Sequence, residues 1–148
     1  MDAIALLKED HRKVEKLFKE IERAPTGKRA QIFKEINKEL TVHAELEEQL
    51  FYPSAREAKP THEMALEAGE EHKQVKMVLA DLEQSDPTTD TWMAGMKVLT
   101  EDVSHHVKEE ENELFPTIKT EVLSEAQLAD VGRRMQQLKA ELMASFSV

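Results

Sequence analysis

The sequence predicts an all-α protein: an antiparallel up-down-up-down four-helix bundle with a short additional C-terminal helix. Three observations carry that prediction. Apolar residues recur at steps of three and four along five stretches, which puts each set on one helical stripe. Good helix formers (Glu, Lys, Leu, Met, Ala) abound, against only 4 Gly and 5 Pro. The stretches are separated by short connectors rich in turn and cap residues, and short connections force neighbouring helices antiparallel.

Asp2 is the N-cap expected for a first helix running through about Arg23, with Ile4, Leu7, His11, Val14, Phe18 and Ile21 on its stripe. Pro25-Thr26-Gly27 ends it. The second helix runs from about Lys28 to the neighbourhood of Pro53, with room for a kink there and a continuation to Ala58; its stripe is Ile36, Leu40, His43, Glu47 and Leu50. Lys59-Pro60-Thr61 is the next break, with Thr61 as candidate cap. The third helix covers about His62 to Gln84, with Ala65, Ala68, His72, Val75, Leu79 and Leu82 on one face. The connector Ser85 to Asp90 follows. The fourth helix runs from about Thr91 to Pro116 or slightly beyond, on Met96, Leu99, Val103, His106, Glu110 and Leu114. Ser124 opens the fifth, with Gln127 three residues on as in a capping box. Nothing ionisable interrupts its stripe of Leu128, Val131, Met135, Leu138 and Leu142, so it reads as a packing element. The 148 residues suit one domain, with the bundle at about 2–120 and the packing helix at about 124–145.

Bulk properties narrow the function. A formal net charge of -10 argues against nucleic acid or an anionic membrane surface as partner. With no cysteine, disulfides, thiolate metal sites and cysteine nucleophiles are excluded. No apolar run approaches the ~20 residues that cross a bilayer, and the N-terminus lacks a basic segment followed by an apolar one. The expectation is a soluble cytoplasmic protein, a monomer or weak homo-oligomer.

The four long stripes share one anomaly: each carries a His, or a His and a Glu, where an apolar residue belongs. Burying unpaired polar groups costs several kcal/mol each, so the six need a shared partner, and a metal site in the core is the simplest. Their heights agree. His11 lies about 12 residues before the first break and His43 about 15 after it; Glu47 lies about 13 before the second and His72 about 12 after; His106 lies about 16 past the third connector. At ~1.5 Å per residue the mismatches are a turn or less. The chain also repeats: Glu9-Asp10-His11 parallels Glu70-Glu71-His72, and His43, Glu47 and Pro53 parallel His106, Glu110 and Pro116 at the same spacing. Residues four apart share a helix face, so each His-x3-Glu pair can reach one metal. A pseudo-two-fold site for two metals follows, each half giving two imidazoles and one carboxylate.

The pattern His11, His43-x3-Glu47, His72, His106-x3-Glu110 resembles the hemerythrin-like (HHE cation-binding) family, as do the strings EDHRKVEKLF, VHAELEEQLFYP, EEHKQV and HHVKEEENELFP. The resemblance covers roughly residues 2–120. It implies a non-haem di-iron centre inside the bundle, with His11, His43, His72 and His106 as terminal ligands and Glu47 and Glu110 bridging two iron ions. The oxygen carriers of that family carry a fifth histidine where this chain has Lys76, and an aspartate where it has Glu111. Four imidazoles and two bridging carboxylates fill about eight of roughly twelve octahedral positions, and a bridging oxo or hydroxo group about two more. Around two remain for water, dioxygen, peroxide or nitric oxide. Imidazole and carboxylate without sulfur suit Fe, with Mn or Zn as substitutes; all-oxygen sites suit Ca and Mg. Ferritin-like bundles use Glu-x2-His, and no Glu stands three before any of the 6 His.

Other polar residues read as bystanders. His105 and Glu109 form a His-x3-Glu pair one residue off the stripe, a surface or outer role. Glu111 is an alternative to Glu110, Glu45 and Glu48 are solvated, and His62 is exposed. Tyr52, more than two turns past His43, is placed outside the site, and Trp92 packs. Leu7, Val14, Leu40, Val75 and Val103 are expected to wall a pocket for a small diatomic or peroxide ligand. The resulting reading is a di-iron protein that binds dioxygen or a related small oxidant for storage, sensing or scavenging. The alternatives are a di-iron enzyme acting on hydrogen peroxide or nitric oxide, and an iron-handling protein. No acid-base residue stands out on the seam, which weighs against fast proton-coupled turnover, and no catalytic residue is assigned.

Overall fold

The computed structural model describes residues 1–146, helical almost throughout with no strand among them. Helix α1 spans Ala3–Arg23, and the Asp2 carboxylate accepts from the Ala5 backbone N–H at 2.8 Å, satisfying a donor the first turn leaves unpaired. Ala24 is extended, the conformation favoured before a proline. A 3-10 turn at Thr26–Lys28 then leads into α2, Arg29–Leu46.

The second stripe is not one continuous α-helix. The backbone widens into a π-turn at Glu47–Phe51 before α3 resumes over Tyr52–Glu57. The same device recurs at Glu110–Leu114, between α5 (Asp90–Glu109) and α6 (Phe115–Glu121). Pro53 and Pro116 account for both. Neither has an N–H to give the carbonyl four residues back, and each ring crowds that carbonyl. The chain responds with i→i+5 bonding: the Tyr52 N–H donates to the Glu47 carbonyl and the Phe115 N–H to the Glu110 carbonyl.

Helix α4 covers His62–Glu83. Thr61 does not cap it; its hydroxyl donates to the Ala55 carbonyl at 2.6 Å and ties the corner to α3 instead. Thr89 caps α5 by accepting from the Trp92 N–H. The capping box of the last helix forms as expected, Gln127 N–H to Ser124 Oγ and Ser124 N–H to Gln127 Oε1. That helix, α7, spans Glu125–Phe146 and at 22 residues is not short.

Helix α1 packs on α2 and α4 on α5, while contacts of α1 with α5 and α2 with α4 close the ring; α7 lies across α1 and α2. The apolar core is divided in two. One cluster holds Leu7, Leu46, Phe51, Tyr52, Phe115, Ile118 and Met135, and the other Ile21, Ile36, Leu82, Trp92, Met96 and Leu99. Along α1 the break between them falls between Leu7 and Val14, where His11 stands, and along α2 between Leu40 and Val42, next to His43. The anomalous polar layer thus separates two ordinary apolar ones. No helix of the described residues is long and apolar enough to cross a membrane.

Candidate metal centre

All six residues singled out in the sequence are buried, and the fold brings them together. Ligand atoms of His11, His43, Glu47 and Glu110 lie within 4.8 Å of one another, and so do those of Glu47, His72 and His106. Glu110 links the two groups: its Oε1 is 3.2 Å from His11 Nε2 and its Oε2 is 3.3 Å from His106 Nε2. Glu47 Oε1 lies 3.2 Å from His43 Nε2 and 3.0 Å from His72 Nε2. Both carboxylates therefore stand between imidazoles of opposite halves.

Each imidazole is held from behind. Nδ1 of His11 meets Glu111 at 2.6 Å, that of His43 meets Asp10 at 2.9 Å, that of His72 meets Glu48 at 3.0 Å, and that of His106 meets Glu71 at 2.7 Å. A carboxylate only accepts, so every Nδ1 carries the proton and donates it outward. The four Nε2 lone pairs are then free to face the centre, the arrangement by which outer carboxylates orient and strengthen metal-binding imidazoles. The pattern obeys the internal repeat. The acid preceding each lone His (Asp10, Glu71) holds the His of the His-x3-Glu motif in its own half. The acid following each motif Glu (Glu48, Glu111) holds the lone His of the opposite half. Glu111 is thus a support for His11 and not a substitute for Glu110. Glu48 is engaged with His72 rather than merely solvated. Asp10 and Glu71 were not foreseen, although their recurrence before both lone histidines was a readable signal.

Tyr52 is the largest departure from the sequence reading. It is fully buried, its hydroxyl donates its one proton to Glu110 Oε2 at 2.5 Å, and the oxygen also lies 3.1 Å from Glu47 Oε1 and 3.2 Å from His106 Nε2. In a regular α-helix, residues five apart point about 140° away from each other. The π-turn removes that offset and returns Tyr52 to the face of Glu47. Its counterpart after the second π-turn, Phe115, stacks on His11 with ring centroids 5.9 Å apart, as Tyr52 stacks on His72 at 5.2 Å. Only the His72–His106 side receives a hydroxyl.

A cavity of about 40 Å³ adjoins the four imidazoles, walled by Val14, Leu40, Val75, Leu79, Val103 and Val107 with Lys76 and Thr41 at its edge. Leu7, expected in this wall, instead belongs to the apolar cluster beyond the histidines. A space of that size accepts a small molecule or a few waters. His105 and Glu109 pair with each other at 2.8 Å off the central layer, His62 is exposed, and Trp92 packs with its Nε1–H bonded to the Leu82 carbonyl.

The donor set fits a cation. Among the described residues five buried side-chain polar atoms have no hydrogen-bond partner; apart from Arg29 Nε they are His11 Nε2, His43 Nε2, Glu47 Oε2 and Glu110 Oε1, all four from one group of converging ligands. Leaving such atoms unsatisfied costs about 1–3 kcal/mol apiece, and a metal ion satisfies them together. Electrostatics agree. At His43, burial disfavours the charged ring, yet Glu47 and Asp10 overturn it and raise the pKa to about 10. Burial also opposes ionisation of Glu47, but His43 above all holds it well below the usual carboxylate range. Tyr52 moves the other way, raised well above its ordinary value by burial and by the Glu110 and Glu47 charges, so its hydroxyl keeps its proton. The layer is a set of charges that compensate one another, and a cation can take the place of the shared protons.

Comparison with known proteins agrees with this geometry. The structure is similar to the crystal structure of a hemerythrin HHE cation binding domain-containing protein from Mycobacterium kansasii, with 26% identity and a TM-score of 0.86, covering 98% of this chain and 89% of that one. Over 121 residues the sequence is 31% identical to a DNA nickase of Nostoc sp., which covers 81% of this chain; the chain spans only 34% of that relative's length. The model of the hemerythrin HHE cation binding domain family matches residues 2–118, a span that contains every ligand candidate. With a buried His/Glu layer able to hold metal inside that span, the chain belongs to the hemerythrin HHE cation-binding family.

Proposed function

We propose that the protein holds two iron ions and binds dioxygen or a related small oxidant for storage, sensing or scavenging. The observation that carries this reading is the double orientation of the layer: four Nδ1–H groups bonded outward, four Nε2 atoms and both glutamates turned inward. In it His11 and His43 would hold one ion and His72 and His106 the other, with Glu47 and Glu110 placed within reach of both groups. Nitrogen and oxygen donors without sulfur support iron, and admit Mn or Zn. Bound iron supplies the redox chemistry toward the oxidant. The chain supplies the rest. Val14, Leu40, Val75 and Val103 present an apolar wall that excludes water beside the imidazoles. The outer carboxylates fix ring orientation, and the Tyr52 hydroxyl holds a proton against Glu110.

That hydroxyl favours the second reading, an enzyme acting on hydrogen peroxide or nitric oxide, because it places a proton donor within the layer where the stripes alone offered none. Gas evolution from peroxide by iron-loaded protein separates turnover from binding. Rapid loss of iron to a chelator marks instead an iron-handling protein. The wider proposal is one domain, an antiparallel up-down-up-down bundle carrying a fifth helix, cytoplasmic, and monomeric or weakly self-associating. The nickase activity belongs to a protein of which the match covers only 34%, and a net charge of -10 argues against a nucleic-acid partner here.

The test is elemental analysis of the isolated protein paired with its absorption spectrum on exposure to air. Two irons per chain and a spectrum that changes with air are expected. Glu47→Ala and His72→Ala abolish the two-metal stoichiometry, while His62→Ala and His105→Ala leave it intact. Two tightly held irons in Glu47→Ala would refute the ligand assignment.

A further inference from the structure

We infer that Lys139, on α7, is a positioning residue for the His11/His43 half of the centre, acting through Asp10. The inference rests on the reading that His43 holds one of two cations. The sequence offered α7 as a packing element, and its apolar stripe does pack: Leu128, Val131 and Met135 are buried in the cluster shared with α1. From that docked helix the Lys139 ammonium reaches inward to Asp10 Oδ1 at 2.6 Å, and Asp10 Oδ2 in turn receives the His43 Nδ1–H at 2.9 Å. Asp10 is only 4% exposed. A carboxylate that deep, left with a single neutral N–H for a partner, is costly to keep in place. Without the ammonium it turns toward water, and the bond that orients His43 is lost with it.

The relay is one-sided. The outer carboxylate of His11, Glu111, is paired with Arg12. In the opposite half, neither Glu48 nor Glu71 is paired with a lysine or arginine among the described residues; besides His106, Glu71 has His105 nearby at 3.8 Å. A centre whose inner ligands repeat almost symmetrically is therefore supported asymmetrically, and half of that difference comes from a helix beyond the residues matched by the family. The docking of α7 is close enough to make the relay stiff. At Gly132 an added Cβ would fall 2.4 Å from the Met1 carbonyl oxygen, so α7 lies directly against the chain that begins α1, the helix carrying Asp10.

The experiment uses the full chain loaded with zinc and follows its release to a chelator. Wild-type protein takes up two zinc ions. In Lys139→Met one of them leaves about 10- to 100-fold sooner, the range for loss of an outer support of a metal ligand, while the other keeps its wild-type rate. Lys139→Arg restores the wild-type course. In an Asp10→Asn background, Lys139→Met adds nothing further. Equal acceleration of both ions, or unchanged release of both, overturns the inference and leaves Lys139 a purely structural contact. Should Lys139→Met fail to fold, Lys139→Gln carries the same comparison. Wild-type protein that binds fewer than two zinc ions overturns the two-cation reading itself, a result visible before any variant is made.

Discussion

Replacing Tyr52 by phenylalanine removes one oxygen atom from the middle of the polar layer and little else. The residue is fully buried, and the ring that stacks on His72 at 5.2 Å is retained, so the packing loss is small. What goes is the proton donated to Glu110 Oε2 at 2.5 Å, from an oxygen that also lies 3.1 Å from Glu47 Oε1. Hydrogen bonds to charged groups contribute about 1.5–3 kcal/mol each. The hydroxyl has one proton and makes one such bond, so the variant should destabilise the metal-free protein by about 1.5–3 kcal/mol. In loaded protein the same oxygens have a cation, and the loss should drop below about 1 kcal/mol. By linkage, a difference of about 2 kcal/mol must appear as metal binding tightened roughly thirty-fold. Urea unfolding of metal-free and zinc-loaded protein, wild type beside variant, measures all four corners of this cycle. Equal destabilisation in both states would show that Tyr52 does not serve the same oxygens as the metal, and would refute the reasoning.

Two further substitutions test the framework apart from the centre. Leu99 is fully buried in the apolar cluster with Trp92 and Met96; Leu99→Ala should lower stability by about 2–5 kcal/mol in urea unfolding while zinc stoichiometry stays at the wild-type value. Gly132→Ala puts a methyl 2.4 Å from the Met1 carbonyl oxygen and 2.8 Å from the Asp2 carbonyl carbon. Backbone cannot yield as a flexible side chain can, so this change should cost about 1–3 kcal/mol by the same measurement, and an unaltered urea midpoint would mean that α7 docks less closely than described.

The inner layer was legible because two independent periodicities met in it. Steps of three and four fix a face, and distance from each break fixes a height, so His11, His43, His72 and His106 could be placed together before any coordinates. Glu47 and Glu110 followed from the four-residue offset to their histidines. The outer layer was not legible by the same means. In a chain with 30 acidic residues, one more Asp or Glu beside a ligand carries no information by itself. Asp10, Glu48, Glu71 and Glu111 become conspicuous only when the two halves are aligned and an acid is found at the equivalent place in both. Tyr52 was missed for a geometric reason. Counting 100° per residue assumes an unbroken α-helix, and Pro53 is the residue that voids the assumption. Its signal was present in the sequence as the matched prolines at 53 and 116: the first reads as a possible kink and the second as the neighbourhood of a helix end, and neither as a change of register.

The same comparison of halves shows where the two candidate subsites differ. Their facing ligands are alike in kind: two imidazoles each, and two carboxylates in common. The differences lie one step outward, at Tyr52 against Phe115, and at Lys139 and Arg12 against no lysine or arginine on Glu48 and Glu71. A hydroxyl near His106 gives that side a proton the other side lacks. Permanent cations behind Asp10 and Glu111 drain charge from the His43 and His11 supports, whereas Glu48 and Glu71 keep theirs. A more negative surround favours the more highly charged form of whatever ion it holds. The His72/His106 side should therefore stabilise the higher oxidation state of a bound metal and carry the nearest proton as well. On the proposed two-ion reading, the residues that would tell one ion from the other are Tyr52, Lys139 and Arg12, positions that no ligand motif records.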